Sequence, residues 1–441
     1  MIVLKFGGTS VGAAEPISRV GKIIASCLER EPVVVSSAVG GVTNRLFRIV
    51  ELALEQGGWE AEYDALAKHH TDILRELELP ADLLAELLDE LRGLVLGISF
   101  LRECTLRTND YLVSFGERMA VRILAAHLNA EGVAARAWDA FDVGLVTDSR
   151  FGAARPLDDV DARIQAALSR SSEVPIITGY IGKDQDGNIT TLGRGGSDYS
   201  AAIFGAALGA EEIQIWTDVD GVMTADPRIV TKARFLEKLS FAEAAELAFY
   251  GAKVIHPATI IPAVRKNIPL RVLNSYRPEF QGTVIVPRLE AVDRRVKSIA
   301  SKRNVSVVNI VAPPMLLQYG FLERIADVFA HHEVVIDMIS TSEVSVSMTT
   351  ATGAQLDPVV SELSEFADVK VEGDMSQISV VGEELAADGR VITNVFQVVD
   401  ALGIRLEMIS FGATRNNLSL VVPSDRTDEV VSALHEKIFE K

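Results

Sequence analysis

Lys5-Phe6-Gly7-Gly8-Thr9-Ser10 comes directly after the apolar run Ile2-Val3-Leu4, placing a lysine, paired glycines and two hydroxyls at the end of a short buried strand. Glycines after a strand let bare backbone N–H groups approach an anion, and Lys5 adds a point charge, so the stretch suits phosphate. It is not the usual P-loop, in which lysine comes after the glycines. Taken alone it reads more readily as a plain turn. The rest of the chain decides between the two.

Strand-like apolar segments recur over the first ~300 residues, at Ile2–Phe6, Val33–Ser36, Ile176–Gly179, Ile213–Thr217 and Leu270–Asn274, alternating with helical stretches. That rhythm predicts an α/β fold, a mostly parallel sheet with helices on its faces. Residues 52–106 form a helical insertion with Leu83, Leu84, Leu87, Leu88 and Leu91 at helical spacing, read as packing and dimer surface. After about Ser298 the order becomes βαββαβ. Its parts are a strand Val305–Val311, a helix Gly320–His332, strands Val334–Ile339 and Ser345–Thr349, a helix Asp357–Phe366 and a strand Val369–Glu372. The pattern then recurs as Gln377–Val381, a helix Val391–Leu402, Ile404–Ile409, Leu418–Val422 and a helix Thr427–Phe439. The second copy is one strand short. A strand around Val296–Ala300, or one exchanged between copies, is expected to complete a second sheet. The domain expectation is thus a catalytic part over 1–295, a first module over 296–374 and a second over 375–441.

With 441 residues, 48% of them hydrophobic, the chain has enough material for two or three domains with ordinary cores. Its formal charge of −18 argues against nucleic acid or an anionic membrane as a general partner. No apolar run approaches the ~20 residues of a membrane span, and Met1–Lys5 is too short for a signal peptide. Cys27 and Cys104 are too few for a disulfide framework or a zinc site, so a reducing cytoplasm is the expected setting and no metal ligands are assigned.

Further polar constellations stand at element ends. Gly193-Arg194-Gly195-Gly196-Ser197-Asp198 separates a strand at Ile189–Leu192 from a helix at Tyr199–Leu208, with Ser197 or Asp198 suited to cap that helix. Such strand-to-helix turns crowd the carboxyl ends of parallel strands, where ligands bind, and Arg194 has the geometry to grip a carboxylate. Trp216-Thr217-Asp218 to Asp226-Pro227-Arg228 offers hydroxyl, carboxylate and guanidinium groups suited to a nucleotide. Asp184-Gln185-Asp186-Gly187-Asn188 reads as a hairpin turn, since it lacks the glycine and glutamate positions of a calcium loop. Tyr250-Gly251-Ala252-Lys253 gives another phosphate or ribose contact. Ser36-Ser37-Ala38 with Thr43-Asn44 reads as a polar turn, and Ser114-Phe115-Gly116-Glu117 as a helix start.

Together, Lys5 to Val11, Ser114 to Glu117, Gly193 to Asp198 and Phe249 to Pro257 resemble, in order, the motifs of the aspartokinases of the amino-acid kinase fold. The doubled tail resembles that family's paired ACT modules. The insertion and the absence of a downstream dehydrogenase domain look like the monofunctional, lysine-sensitive branch. The resemblance implies transfer of the γ-phosphoryl group of ATP, with Mg²⁺, to the β-carboxylate of L-aspartate. It implies that Lys5 and the amides of Gly7 and Gly8 hold phosphoryl oxygens, while Asp198 orients Lys5. Arg194 then binds the substrate α-carboxylate and Glu117 its ammonium, with Ser37, Thr43, Gly195, Gly196 and Ser197 enclosing it. Thr217, Asp218, Met223, Arg228, Lys253 and Val254 fall on the nucleotide side. Met223 stands where many members carry tyrosine, so ring stacking is lost and altered nucleotide affinity is expected.

For the effector pocket, the resemblance points to Met315, Gln318, Gly320, Phe321, Leu322, Asp337, Thr341, Ser342 and Glu343, with Asp337 facing a ligand ammonium. Gln318 replaces the small hydroxyl residue usual in lysine-sensitive relatives, and Leu317 and Tyr319 also differ. Lysine is the first choice of effector, threonine the second, and an enzyme released from feedback the third. A homodimer or dimer of dimers through the ACT modules is implied. The rival readings are a glutamate-type amino-acid kinase, against which the ACT tail counts, and a catalytically silent amino-acid sensor. Retention of Lys5, Arg194 and Asp198 together counts against the second.

Overall fold

A computed structural model describes residues 1–55, 57–168, 173–250, 257–289, 295–312, 319–353, 356–385, 389–412 and 414–440, with the backbone alone considered for 257–260. These fall into two compact units. The first comprises Met1–Val222, Glu237–Phe241 and Val254–Leu289, and the second Met223–Leu236, Ala242–Lys253 and Glu290–Lys441. The division is therefore not a single cut near residue 295, because two earlier segments belong with the C-terminal unit.

The first unit is built on an eight-stranded sheet in the order Ala135–Trp138, Val174–Thr178, Pro32–Ser36, Ile2–Phe6, Ile213–Thr217, Leu270–Asn274, Thr283–Val286 and Lys238–Ser240. The first six strands run parallel, and Thr283–Val286 turns antiparallel against Leu270–Asn274. Ile2–Phe6 and Pro32–Ser36 are buried at every position, as strands covered on both faces must be, which is why they read as apolar runs broken only by Lys5 and Ser36 near their carboxyl ends. From Ile2–Phe6 the chain builds strands first on one side and then, from Ile213, on the other. This reversal creates a crevice at the carboxyl ends of the central strands.

The insertion folds as the helices Trp59–Glu76 and Ala85–Leu101, with Leu84, Leu87 and Leu91 buried in the same core as the sheet. Ser114–Glu117, expected to start a helix, instead lies in the middle of the 25-residue helix Leu106–Ala130. The glycine is present because the helix closes on a neighbouring loop: a Cβ on Gly116 would stand 2.8 Å from the Cβ of Ala38. Ile181–Lys183 and Ile189–Thr191 form the expected hairpin, with Asp184 Oδ1 accepting from the amides of Asp186 and Asn188.

In the second unit the two modules share one six-stranded antiparallel sheet rather than forming two. Its order is Met338–Thr341, Ser345–Ala351, Val296–Val311, Asp368–Gly382, Asn417–Pro423 and Met408–Phe411. The 16-residue strand Val296–Val311 runs through both modules. Its first half pairs Val296 to Lys302 with Gly382 to Gln377, and its second half pairs Val305 to Val311 with Ala351 to Ser345. Val369–Glu372 and Gln377–Val381, expected as separate strands, are likewise one, Asp368–Gly382.

The strands expected at Val334–Ile339 and Ile404–Ile409 begin late, at Met338 and Met408. The apolar residues that begin both segments serve the preceding helix instead. Val334 N–H donates to Phe329 O and Ile404 N–H to Val399 O, just after Glu333 and Gly403 at φ 55° and 60°. That is the Schellman ending of a helix, with its apolar residue folded back onto the core. No helix among the described residues is long and apolar enough to cross a membrane.

Candidate active site

The strand Ile2–Phe6 delivers Lys5 to the crevice, and the loop after it is fixed at once: Gly7 N–H donates to Trp216 O at 3.2 Å. Lys5 is almost fully buried, and its Nζ lies 2.6 Å from Asp198 Oδ1. The same ammonium folds back over the glycine loop, 3.6 Å from where a Gly7 Cβ would be. Gly8 and Gly40 meet back to back, so that a Cβ on Gly8 would come within 3.1 Å of Ala38 O. This close approach joins the loops after the first two strands into one wall.

Asp198 comes from the helix Gly196–Leu208. The cap residue of that helix is Gly195, at φ 72° with no side-chain cap bond, so neither Ser197 nor Asp198 caps it. Both belong to the first turn, where Asp198 faces Lys5 beside the positive end of the helix. Arg194 is exposed on the loop that leads in.

Glu117 sits opposite, on the long helix that Gly116 lets approach. It is fully buried and accepts a backbone hydrogen bond from Ala38, yet its Oε2 has no hydrogen-bond partner among the described residues. Burial pushes its carboxyl up to about 8, and the Lys5 charge offsets only a small part of that. The helix also positions the far wall. Buried Asp110 accepts from Gly152 N–H at 2.9 Å and from Thr191 N–H and Oγ1 at 2.8 Å.

Lys5, Glu117, Asp198 and Gly152, which Asp110 holds, line one cavity of about 640 Å³. Of the residues singled out in the sequence, Lys5, Gly8, Ser37, Thr43, Glu117, Arg194, Gly195, Gly196, Ser197 and Asp198 line it. Gly7 is not among the lining residues. Phe47, Gly152 and Tyr180 line the cavity as well and were not anticipated. Tyr180 comes after the parallel strand Val174–Thr178 at φ 67°, and its position past a strand end next to Gly179 was the available signal.

The groups assigned to the nucleotide are divided. Thr217 ends the strand Ile213–Thr217 of the first unit and Asp218 follows it, with Thr217 Oγ1 donating to Asp218 Oδ1 at 3.2 Å. Met223 and Arg228 belong to the second unit, where Met223 bridges to Phe235 and exposed Arg228 holds Asp226 through Nε and Nη2. Lys253 and Val254 lie outside the described residues.

Of the effector-pocket residues, Met315 and Gln318 also lie outside them. Gly320, at φ 79°, precedes the helix Phe321–His331, in which Phe321 is buried and Leu322 half-exposed. Thr341 ends the strand Met338–Thr341, and the exposed Ser342 and Glu343 follow in a turn closed by the Ser342 and Ser345 hydroxyls at 2.7 Å. Asp337 is not free, because its carboxylate forms an ion pair with Lys302 Nζ.

The amino acid kinase family matches residues 1–274, and the ACT domain matches residues 378–438. Aspartokinase 2 of Arabidopsis thaliana chloroplasts is 40% identical, over 99% of this chain and 84% of that protein. The chain belongs to the aspartokinase family. As an enzyme of that family it is a kinase with ACT regulatory modules. Escherichia coli aspartokinase III in complex with aspartate and ADP, in its R-state, superimposes with a TM-score of 0.87 at 34% identity and full coverage of both chains. The T-state of the same aspartokinase, with lysine and aspartate, gives 0.82 at 35% identity over 100% of this chain and 99% of that one.

Proposed function

We propose that the 640 Å³ cavity is where L-aspartate receives the γ-phosphoryl group of ATP on its β-carboxylate. The observation that carries this reading is the pairing of opposite needs in one cleft. A buried lysine held by Asp198 suits the anionic end of a substrate, and a buried Glu117 oxygen that has no partner among the described residues suits its cation. An amino acid with a second carboxylate supplies all three charges. Glu117 receives the ammonium, Arg194 the α-carboxylate, and Ser37 and Thr43 close the sides with Gly195, Gly196 and Ser197. Lys5 and the Gly8 amide face the transferring group and Asp198 positions Lys5, whereas the Gly7 amide, expected to share in this, is engaged by Trp216 O instead. On the nucleotide side, the first unit contributes Thr217 and Asp218.

A carboxylate with a pKa of about 4 is already ionised, so the cleft needs no general base. Its work is to bring two anions together and neutralise charge between them. Mg²⁺ bound with ATP supplies further neutralisation of the phosphate oxygens. The residues fit a metal carried chiefly by the nucleotide. Among the described residues no group of three His, Cys, Asp or Glu ligands lies in the cleft, and Mg²⁺ needs only one or two carboxylates beside phosphate and water.

The effector reading is lysine at the first ACT module, with threonine second, supported by lysine in the T-state relative. Assembly as a homodimer or dimer of dimers through the ACT edge is supported by the apolar exposure of Val335, Ile339 and Val344 around the edge strand. An assay with ATP, Mg²⁺, hydroxylamine and either acid tests the reaction, since hydroxylamine traps an acyl phosphate. Signal with aspartate is expected. Signal with glutamate alone gives the glutamate-type kinase, and signal with neither gives the silent sensor.

A further inference from the structure

Lys302 lies at the middle of the strand that runs through both ACT modules, and its ammonium serves two partners at once. It forms an ion pair with Asp337, whose side chain is only 6% exposed, and it stands 5.6 Å from the centre of the Phe249 ring. Among the described residues no second side chain pairs with Asp337, so this buried carboxylate depends on Lys302 for neutralisation. Phe249 ends the helix Phe241–Phe249, which the same sheet holds at further points. Thr414 Oγ1 donates to Glu246 at 3.0 Å, and Asn417 Nδ2 donates to Glu246 and, at 3.2 Å, to the buried Tyr250 hydroxyl. From Tyr250 the chain continues within three residues to Lys253.

We infer that Asp337 is an ammonium site which Lys302 itself occupies in the unliganded enzyme, so that a cationic amino-acid effector binds by exchanging its ammonium for that of Lys302. This rests on the effector reading above and adds the resident competitor. The contacts carry two consequences. The exchange cancels most of the Coulombic gain of binding, because one buried ion pair replaces another, and this sets a high effector threshold. Release of Lys302 also removes its cation–π contact with Phe249, loosening one of the points that hold the helix leading to Lys253.

Two measurements on the full chain test this. In the first, Lys302→Met removes the competitor while keeping an apolar stem. The lysine concentration giving half-inhibition should fall by about tenfold, within the range usual for coupled sites. An unchanged or higher value overturns the inference, a higher one showing that Lys302 helps to hold the effector. The second needs no effector. Ethylammonium chloride should raise the thermal midpoint of Lys302→Ala more than tetramethylammonium chloride does at equal ionic strength. It should not do so for the wild type or for Lys302→Ala combined with Asp337→Asn. Equal shifts in all three proteins overturn the ammonium site. A selective shift together with no inhibition of either protein by any amino acid supports the site and removes the effector reading instead.

Discussion

Lys5 and Glu117 pose opposite electrostatic problems within one cleft. Lys5 is buried with a counterion, so its charge is held in place by Asp198 before any substrate arrives. Lys5→Ala is expected to lower kcat by about 10²–10³-fold, the usual cost of losing one group aimed at transition-state charge. The KM for aspartate should move much less, and steady-state kinetics showing a loss confined to KM would remove Lys5 from the transferring group. Glu117 is buried with no ion-pair partner among the described residues, and burial pushes it up to about 8. In the free enzyme its carboxyl is therefore largely protonated near neutrality, and kcat/KM for aspartate should rise with pH up to about 8 as it ionises. Glu117→Gln should abolish that limb and raise KM, and a pH profile identical to the wild type's would contradict the assignment. The sign for stability is opposite. The folded carboxyl keeps a proton that the unfolded chain releases above 4.5, so its contribution to stability declines as pH climbs from there to about 8. Bound aspartate should flatten that decline in a series of thermal melts.

At the level of elements, the 25-residue helix Leu106–Ala130 is what brings Glu117 to Ala38 and Asp110 to Gly152. Gly116→Val places a branched side chain 2.8 Å from Ala38 Cβ, where the loop after Pro32–Ser36 must give way. A loss of about 1–3 kcal/mol in urea unfolding is expected, as for overpacking generally, together with a raised KM for aspartate. Full stability with an unaltered KM would show that the loop yields freely. This helix also marks where the sequence was hard to read. Gly116 looks like a breaker unless the approaching Ala38 is known, and that neighbour lies far away in the chain. The strands Ile2–Phe6, Ile213–Thr217 and Leu270–Asn274 were legible to the residue, because burial on both faces leaves short, mainly apolar segments in which only single polar residues such as Gln214 and Arg271 intervene. Val334 and Ile404 misled because an apolar residue closing a helix looks like one opening a strand. The residues lining the cleft were mostly legible as glycine and hydroxyl clusters. Tyr180 was not, since a lone aromatic after a strand carries no chemical signature. Nor did the sequence show that Asp337 already has a lysine of its own.

Across the whole molecule, the strands Val296–Val311 and Asp368–Gly382 pass through both ACT modules and bind them into one sheet. The core of the second module extends further still. It includes Ala225 and Val230, and Thr224 Oγ1 meets buried His435 at 2.9 Å. A chain ended after residue 374 loses Gln377–Gly382 and leaves Val296–Lys302 as an open edge. Limited proteolysis with mass spectrometry should find rapid cutting within 296–304 in that fragment and not in the full chain. Resistance there would mean that the first module closes its own edge. The crossing strands also limit how such a regulatory tail can be inherited or engineered. A recombination joint at residue 374 looks natural from the repeat, but it would splice a second module onto a foreign partner for its own first strand. Crossovers compatible with the sheet must carry 296–302 along with 375–440, so the hereditary unit of this sensor is two discontinuous pieces of chain rather than one cassette.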